Sequence, residues 1–344
     1  MKYRILDYLC CPDCKCEFTV KTRHIKIINY GNLPVFKRCK TCHFTAINNC
    51  NKCISTEIEE GYLICIKCGR EHPIINFTPQ IFRDKNFRYT TKGHYEFQWK
   101  IWGEESQIFG RTEQEMLPWT LEHLVPLNIS LEFFKDKLIL DAGCGLGKHS
   151  GVFSKLGNEV IGVDMSDRVM QNYLQSVGTL PLLHFIQTDI LSPPFKSEMF
   201  DFVFSEGVIH STQNPRKAFT SLYNLVKKNG IIGIWVYPER GALFELSTRL
   251  IRNITVRLPK KILYYLSFLP VPLLSFIKAN SGTSLKNSTW RQCAHVVFDF
   301  FGPKYQSHHT ETQIRDWFAE EGTSRVEFNK DCPISAAGIK STKF

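Results

Sequence analysis

The side chains with the most evident chemistry in this sequence are thiols. Four Cys-x-x-Cys pairs follow one another: Cys11/Cys14, Cys39/Cys42, Cys50/Cys53 and Cys65/Cys68. Each pair sets two sulfurs on one side of a tight turn, and two turns complete the tetrahedral shell of a closed, structural zinc site. Eight ligands imply two zinc ions. The pairs can join in tandem, first with second and third with fourth, or nested, with the first pair joined to the last. CKTCHFTAINN from Cys39 echoes CIKCGREHPIINF from Cys65, which favours the tandem arrangement. Ten of the 13 cysteines lie before residue 69, and the opening MKYRILD has no apolar leader run. Paired thiols in that setting read as metal ligands in a reducing, cytoplasmic compartment rather than as disulfides. Cys10, Cys16, Cys144, Cys293 and Cys332 read as small buried residues.

A second constellation begins at Lys137. The apolar run 137–141 ends on the carboxylate of Asp141, AGCGLG follows, and a helix is expected through Leu156. The glycines Gly143, Gly145 and Gly147 permit a tight turn and a close backbone approach to a ligand. The next apolar run, from Glu159, ends on Asp164, whose carboxylate is placed to grip ribose hydroxyls. The spacing G-x-G-x-G departs from the dinucleotide pattern G-x-G-x-x-G, and no P-loop lysine follows.

With these motifs in place, residues 131–240 resemble a class I S-adenosylmethionine-dependent methyltransferase. The resemblance implies a Rossmann-like doubly wound α/β sheet and a set of residue roles. Asp141, Gly143, Cys144, Gly145 and Gly147 would face the methionine part of the cofactor S-adenosyl-L-methionine. Asp164 would hold its ribose, with Met165 beside the adenine and Asp189 and Ile190 at the adenine edge. Phe200–Glu206 would be the strand that opens onto the substrate, with Glu206 counted among the cofactor contacts. The segment from Cys50 to Phe82 resembles the short zinc-binding domain that accompanies many bacterial methyltransferases. A free-standing relative of that domain activates tRNA and release-factor methyltransferases.

The acceptor is harder to read. The Asn/Asp-Pro-Pro-aromatic signature of amide and exocyclic-amine methylation is replaced by Ser205-Glu206-Gly207-Val208, and no Pro-Cys nucleophile is present there. SEGVIHS resembles methyltransferases of small molecules, quinones and natural products, in some of which a histidine at this place removes a proton. His210 is therefore the candidate base, ahead of Tyr237, Tyr305, His308 and His309. The expected acceptor is oxygen or nitrogen of a small molecule, glycan or lipid-linked compound. The alternative is RNA, since a ribosomal-RNA guanine methyltransferase also joins a zinc-binding segment to this fold.

These motifs divide 344 residues into three parts: tandem zinc ribbons at 1–78, an aromatic-rich helical linker or lid at 79–130, and the methyltransferase domain at 131–344. Within the last part, 241–300 reads as a basic, apolar helical insertion. Further expectations are a helix over Pro215–Lys228 capped by Gly230, a strand from Ile231 to Tyr237, and a helix over Thr310–Glu321 before two closing strands. Residues 1–93 carry sixteen Lys/Arg against eight acids, most of the formal +10. Two four-thiolate zinc sites would each carry about −2, leaving about +6 overall, a mildly basic surface. From Leu246 to Phe298 there are eight Lys/Arg and no acid. The apolar run 262–277 would make a helix of roughly 24 Å, short of the ~30 Å hydrocarbon core and broken by Pro270 and Pro272. Such an insertion can lie on an anionic membrane surface, meet an acidic carrier, phosphate-bearing substrate or RNA, or pack over the active site.

Overall fold

The computed structural model describes residues 1–31, 51–83, 92–103, 118, 129–176, 178–272, 289–330, 332 and 334–341. Short apolar runs buried on both faces become the parallel strands at its centre, because helices cover both sides of such a sheet. These are β5 (Leu138–Ala142), β6 (Glu159–Asp164), β7 (Leu183–Thr188), β8 (Phe200–Glu206) and β9 (Val226–Trp235). β10 (Thr323–Phe328) and β11 (Ser335–Lys340) form an antiparallel pair, and β11 runs antiparallel to β9. Ahead of them come β1 (Phe18–Ile27), β2 (Thr56–Cys65), β3 (Glu71–Ile75) and β4 (Thr78–Ile81), an antiparallel series. All eleven join in one sheet of order β1-β2-β3-β4-β7-β6-β5-β8-β9-β11-β10.

The helices are α1 (Asn51–Ser55), α2 (Lys92–Trp102), α3 (Lys148–Lys155), α4 (Arg168–Ser176), α5 (Pro215–Tyr223), α6 (Ala242–Thr255), α7 (Lys260–Leu266), α8 (Trp290–Phe301) and α9 (Glu311–Glu320). Helices α6, α7 and α8 make the expected helical insertion. Among the described residues no helix is long and apolar enough to cross a membrane. Thr310 caps α9 through a hydroxyl that accepts from Gln313 N–H, as that segment predicts.

One helix is shorter than its sequence suggests. α5 stops at Tyr223, and Gly230 lies inside β9 instead of capping a helix. The cause is strand pairing: the N–H groups of Met199 and Phe200 both reach Leu225 O, and Val226 then pairs with Phe200. The ladder draws residues 226–230 out of the helix.

The cysteine-bearing unit is built into the α/β unit. β4 adds to the sheet parallel to β7, in register Gln80↔Gln187 and Ile81↔Thr188. Thr188 Oγ1 donates to Ile81 O at 2.6 Å. Below that junction Arg4 donates to both carboxylate oxygens of Glu159, at 2.9 Å each. Tyr8 Oη donates to Glu159 Oε2 at 2.7 Å, and His184 Nε2 approaches Oε1 at 3.2 Å. Burial alone would raise the Glu159 pKa, yet the hydrogen bonds from His184 and Arg4 outweigh it and hold the carboxyl at about 2. Burial keeps His184 neutral, with its pKa down at about 4, so its N–H donates.

A depressed carboxylate stabilises the fold above its unfolded pKa and loses that contribution as pH falls through its folded one. Arg4→Ala leaves Glu159 buried without its guanidinium. We expect a loss of about 3 kcal/mol at pH 7 in urea unfolding, narrowing as pH falls from about 5 toward 2.

Candidate active site

Three strands end side by side at one edge of the sheet, and the loops after them form the site. β5 ends in Asp141-Ala142, and the chain then turns sharply: Gly143 N–H and Cys144 N–H both donate to Val163 O, at 2.7 and 2.9 Å. Gly143 and Gly145 have φ of +87° and +49°, which a side chain would resist. A Cβ on Gly143 would run into Val208, and one on Gly145 would come within 3.2 Å of Trp99 Cζ2. Asp164, at the end of β6, holds two loops together. Its Oδ2 accepts from Gly145 N–H at 3.0 Å, and its Oδ1 accepts from Ser166 N–H at 2.8 Å. Asn172 Nδ2 donates to Gly145 O at 2.7 Å. Beside this tie, the buried Ser166 Oγ and Asn172 Oδ1 have no partner among the described residues. A glycine cradle with spare carboxylate lone pairs and unsatisfied polar atoms fits a polar nucleoside-bearing cofactor.

Under the loop lies a buried acid–base pair of pairs. Ser150 Oγ donates to Asp141 Oδ2 at 2.6 Å, and His149 Nε2 is paired with Glu206 Oε2. Burial would lower the His149 pKa, but Glu206 and then Asp141 outweigh it and raise the imidazole above its usual value. Burial pushes the Asp141 carboxyl up to about 6. Between its unfolded pKa of 3.8 and about 6 the folded state holds more protons, so this group lowers stability as pH rises. Asp141→Asn is therefore expected to stabilise the unliganded protein by about 3 kcal/mol at pH 7, with the gain vanishing below about pH 4. Thermal unfolding across that range tests this.

Helix α2 crosses above the loops and touches three of them. Lys92 Nζ donates to Asp167 Oδ1 at 2.8 Å, and Asp167 N–H donates to Glu96 Oε1 at 3.3 Å. Trp99 stands over Gly145, and Tyr95 Oη donates to Ser211 Oγ at 2.8 Å. The aromatic density of residues 93–110 marks this segment in the sequence.

Beyond β8 and β9 lies a second polar cluster. His210 is buried and stacks on Tyr237, ring centroids 3.9 Å apart. Its Nδ1 accepts from Tyr237 N–H at 3.3 Å, which puts the proton of the neutral ring on Nε2. Burial, followed by the nearby His309, His308 and Arg252, sets its pKa well below the usual histidine value. In this tautomer Nε2 is a hydrogen-bond donor and has no lone pair with which to take a proton. Tyr237 Oη donates to Asp299 Oδ2 at 2.6 Å, and Gln98 Nε2 donates to Asp299 Oδ1 at 3.1 Å. His308 pairs with Glu245, and His309 Nε2 lies 2.8 Å from Ser307 Oγ. Tyr305 lies on the rim beneath Lys304.

The cysteines assemble differently from the tandem expectation. The sulfurs of Cys11, Cys14, Cys65 and Cys68 lie within 4.8 Å of one another, with Cys11–Cys68 at 3.7 Å and Cys14–Cys65 at 3.3 Å. A tetrahedral zinc–thiolate site needs sulfurs about 3.8 Å apart, so this set fits zinc. The pairing is therefore nested, first turn with last. The reason is strand register: β1 opposes β2 with Phe18↔Cys65, which brings the two turns to the same end of the hairpin. Backbone bonds make the turns alike, Lys15 N–H to Cys11 O and Gly69 N–H to Cys65 O. The first turn also leans on the α/β unit, where Cys10 N–H donates to Pro194 O at 2.8 Å. Cys53 is buried in α1, outside the four-sulfur group. Cys39, Cys42 and Cys50 lie outside the described residues.

Comparison with known proteins bears on this arrangement. A family model described as "Methyltransferase domain" matches residues 140–234, from the end of β5 to the end of β9. The fold is that of a class I methyltransferase. The malonyl-[acyl-carrier protein] O-methyltransferase of Salmonella typhimurium is 31% identical over 31% of this chain and 41% of its own length. The tRNA U34 carboxymethyltransferase of Cellvibrio japonicus is 33% identical over 33% of this chain and 35% of its own. The chain thus spans less than half the length of either relative. An S-adenosylmethionine-dependent methyltransferase structure from Mesorhizobium loti overlaps with TM-score 0.28 and 18% identity, covering 32% of this chain and 52% of that one.

Within the methyltransferase fold, Asp141, Gly143, Gly145, Gly147, Asp164, Met165 and Glu206 come together around the three loops. Cys144 turns its side chain into the core beside Phe153, leaving only its backbone toward the loop. Ile190 is likewise a core residue, and Asp189 Oδ1 accepts from Leu191 N–H at 2.8 Å within its own turn. Sequence reasoning missed His149, Ser150, Asn172 and Asp299. His149 and Ser150 had a signal, since they open the helix after an acid-terminated strand and a glycine turn.

Proposed function

We propose that this chain is a cytoplasmic S-adenosylmethionine-dependent methyltransferase acting on oxygen or nitrogen of a small-molecule, glycan or lipid-linked acceptor. The observation that carries the reading is the Asp164 tie: a carboxylate at the end of β6, bonded to Gly145 N–H, beside unsatisfied Ser166 and Asn172 atoms and under α2. Asp164 would bind the ribose through its free lone pairs, and the Gly143–Gly147 backbone with Asp141 would hold the amino-acid end. Met165, Asp189 and Ile190 would border the adenine. The cofactor supplies an electrophilic methyl group on a sulfonium, and the protein's work is to align an acceptor with it and exclude water. Tyr95 and Trp99, carried on α2, close the site from above. His210 would meet the acceptor by donating from Nε2, staying neutral throughout, while Tyr237 and Asp299 hold the opposite wall.

RNA is the second reading, supported by the tRNA-acting relative. Labelled methyl transfer from S-adenosylmethionine into cell extract, with RNA, protein and small-molecule or lipid pools counted separately, separates the two. Label in the last pool, lost with Asp141→Ala, is expected, whereas label released by ribonuclease would overturn the small-acceptor reading. Retained turnover in His210→Gln, together with its loss in His210→Ala, would support hydrogen bonding over proton removal. We also infer that Cys39, Cys42, Cys50 and Cys53 hold a second zinc. Metal analysis should give two zinc ions per chain, falling to one in Cys65→Ser/Cys68→Ser.

A further inference from the structure

The outer face of the helical insertion is unusual for a surface. Of fifteen large apolar residues that stand exposed among the described residues, ten lie between Leu243 and Trp290. On α6, Leu243, Leu246, Leu250 and Ile254 recur at helical spacing and are 85%, 56%, 59% and 66% exposed, with Ile251 beside them. On α7 and the turn after it, Ile262, Tyr265, Leu266 and Leu269 repeat the pattern. These helices are not loosely attached. The opposite face of α6 is fastened to the end of α8 by Arg252, which donates to Phe300 O and Pro303 O at 2.6 and 2.7 Å. Thr255 Oγ1 adds a bond to Phe301 O at 2.7 Å. Leu263 and Ser267 anchor α7 inward.

Charge decides what covers this face. Arg249, Arg257 and Lys261 are exposed beside it, and no acid occurs from Leu246 to Phe298. Protein–protein interfaces enrich arginine but are depleted in lysine, and a cationic border facing one needs acidic partners. A helix that sets leucines and an interfacial aromatic against a cationic border has instead the pattern of one lying in an anionic lipid surface. The other side of the same helix turns toward the site, where Arg252 lies near Tyr95, Asp299 and Tyr237.

We propose that α6 and α7 dock the protein on an anionic lipid bilayer, so that a lipid-linked acceptor enters from that side. The class of acceptor rests on the methyl-transfer reading; the docking face does not. Flotation with vesicles of phosphatidylcholine alone, or containing phosphatidylglycerol, tests it. The wild type should float only with the anionic vesicles, and less at high salt. Leu246→Ser/Leu250→Ser/Ile254→Ser should lower partitioning by roughly tenfold or more, with circular dichroism and calorimetric S-adenosylmethionine binding unchanged. Arg249→Gln/Arg257→Gln/Lys261→Gln should do the same and abolish the salt dependence. Asp141→Ala should lose cofactor binding yet still float, which separates failure of the docking face from failure of the enzymatic reading. Wild type that does not float, or floats equally with neutral vesicles, overturns the proposal. So does self-association in sedimentation velocity that the serine variant abolishes, because the face would then belong to a second copy.

Discussion

The carboxylate of Asp164 holds the site in shape. It lies at the end of a central strand and accepts one backbone N–H from the glycine loop and one from its own turn. It joins the two loops directly, and both must sit close for α2 to rest on them. The glycines let the loop sit this close to its neighbours, since a Cβ on Gly143 would run into Val208 and one on Gly145 would press on Trp99. A buried acid below it, Asp141, is held at a cost in stability that falls away when a cationic group or a proton arrives. The site is thus prepared for a positively charged partner before any binds.

Much of this was legible in the sequence because it is local. A strand that ends on an acid, a glycine turn and a helix start are read from adjacent residues, and β5, β6 and α3 occur where those residues place them. What depended on distant pairing was misread. The similarity between CKTC and CIKC suggested two repeated ribbons, each closing on its own pair of successive turns, but strand register joins Cys11 and Cys14 to Cys65 and Cys68 across an excursion of the chain. Residues 224–228 were expected to continue the helix, an expectation that the β8 ladder overrode. His210 was singled out by type and place, yet only the burial and the Tyr237 N–H give its tautomer. Asp299 could not be found at all, since its partners Tyr237 and Gln98 are far from it in sequence.

The buried cluster where the cysteine-bearing unit meets the α/β unit is closely paired. Arg4, Tyr8 and His184 surround Glu159 so that each donor has its acceptor, which makes the cluster a fixed joint rather than a reactive centre. At the site, Ser166 and Asn172 keep buried atoms without a partner among the described residues, open to a polar ligand.

The junction of β4 with β7 has a consequence for how this protein could be divided. In the α/β unit alone, β7 would be an outermost strand with a row of bare amides and carbonyls, an invitation to edge-to-edge aggregation. β4 covers that row and passes the edge outward through β3 and β2 to β1. There the sequence is KTRHIK, exposed and cationic, which repels an incoming strand. The cysteine-bearing unit therefore serves as the protective margin of the sheet, moving its open edge from a buried apolar strand to an exposed cationic one.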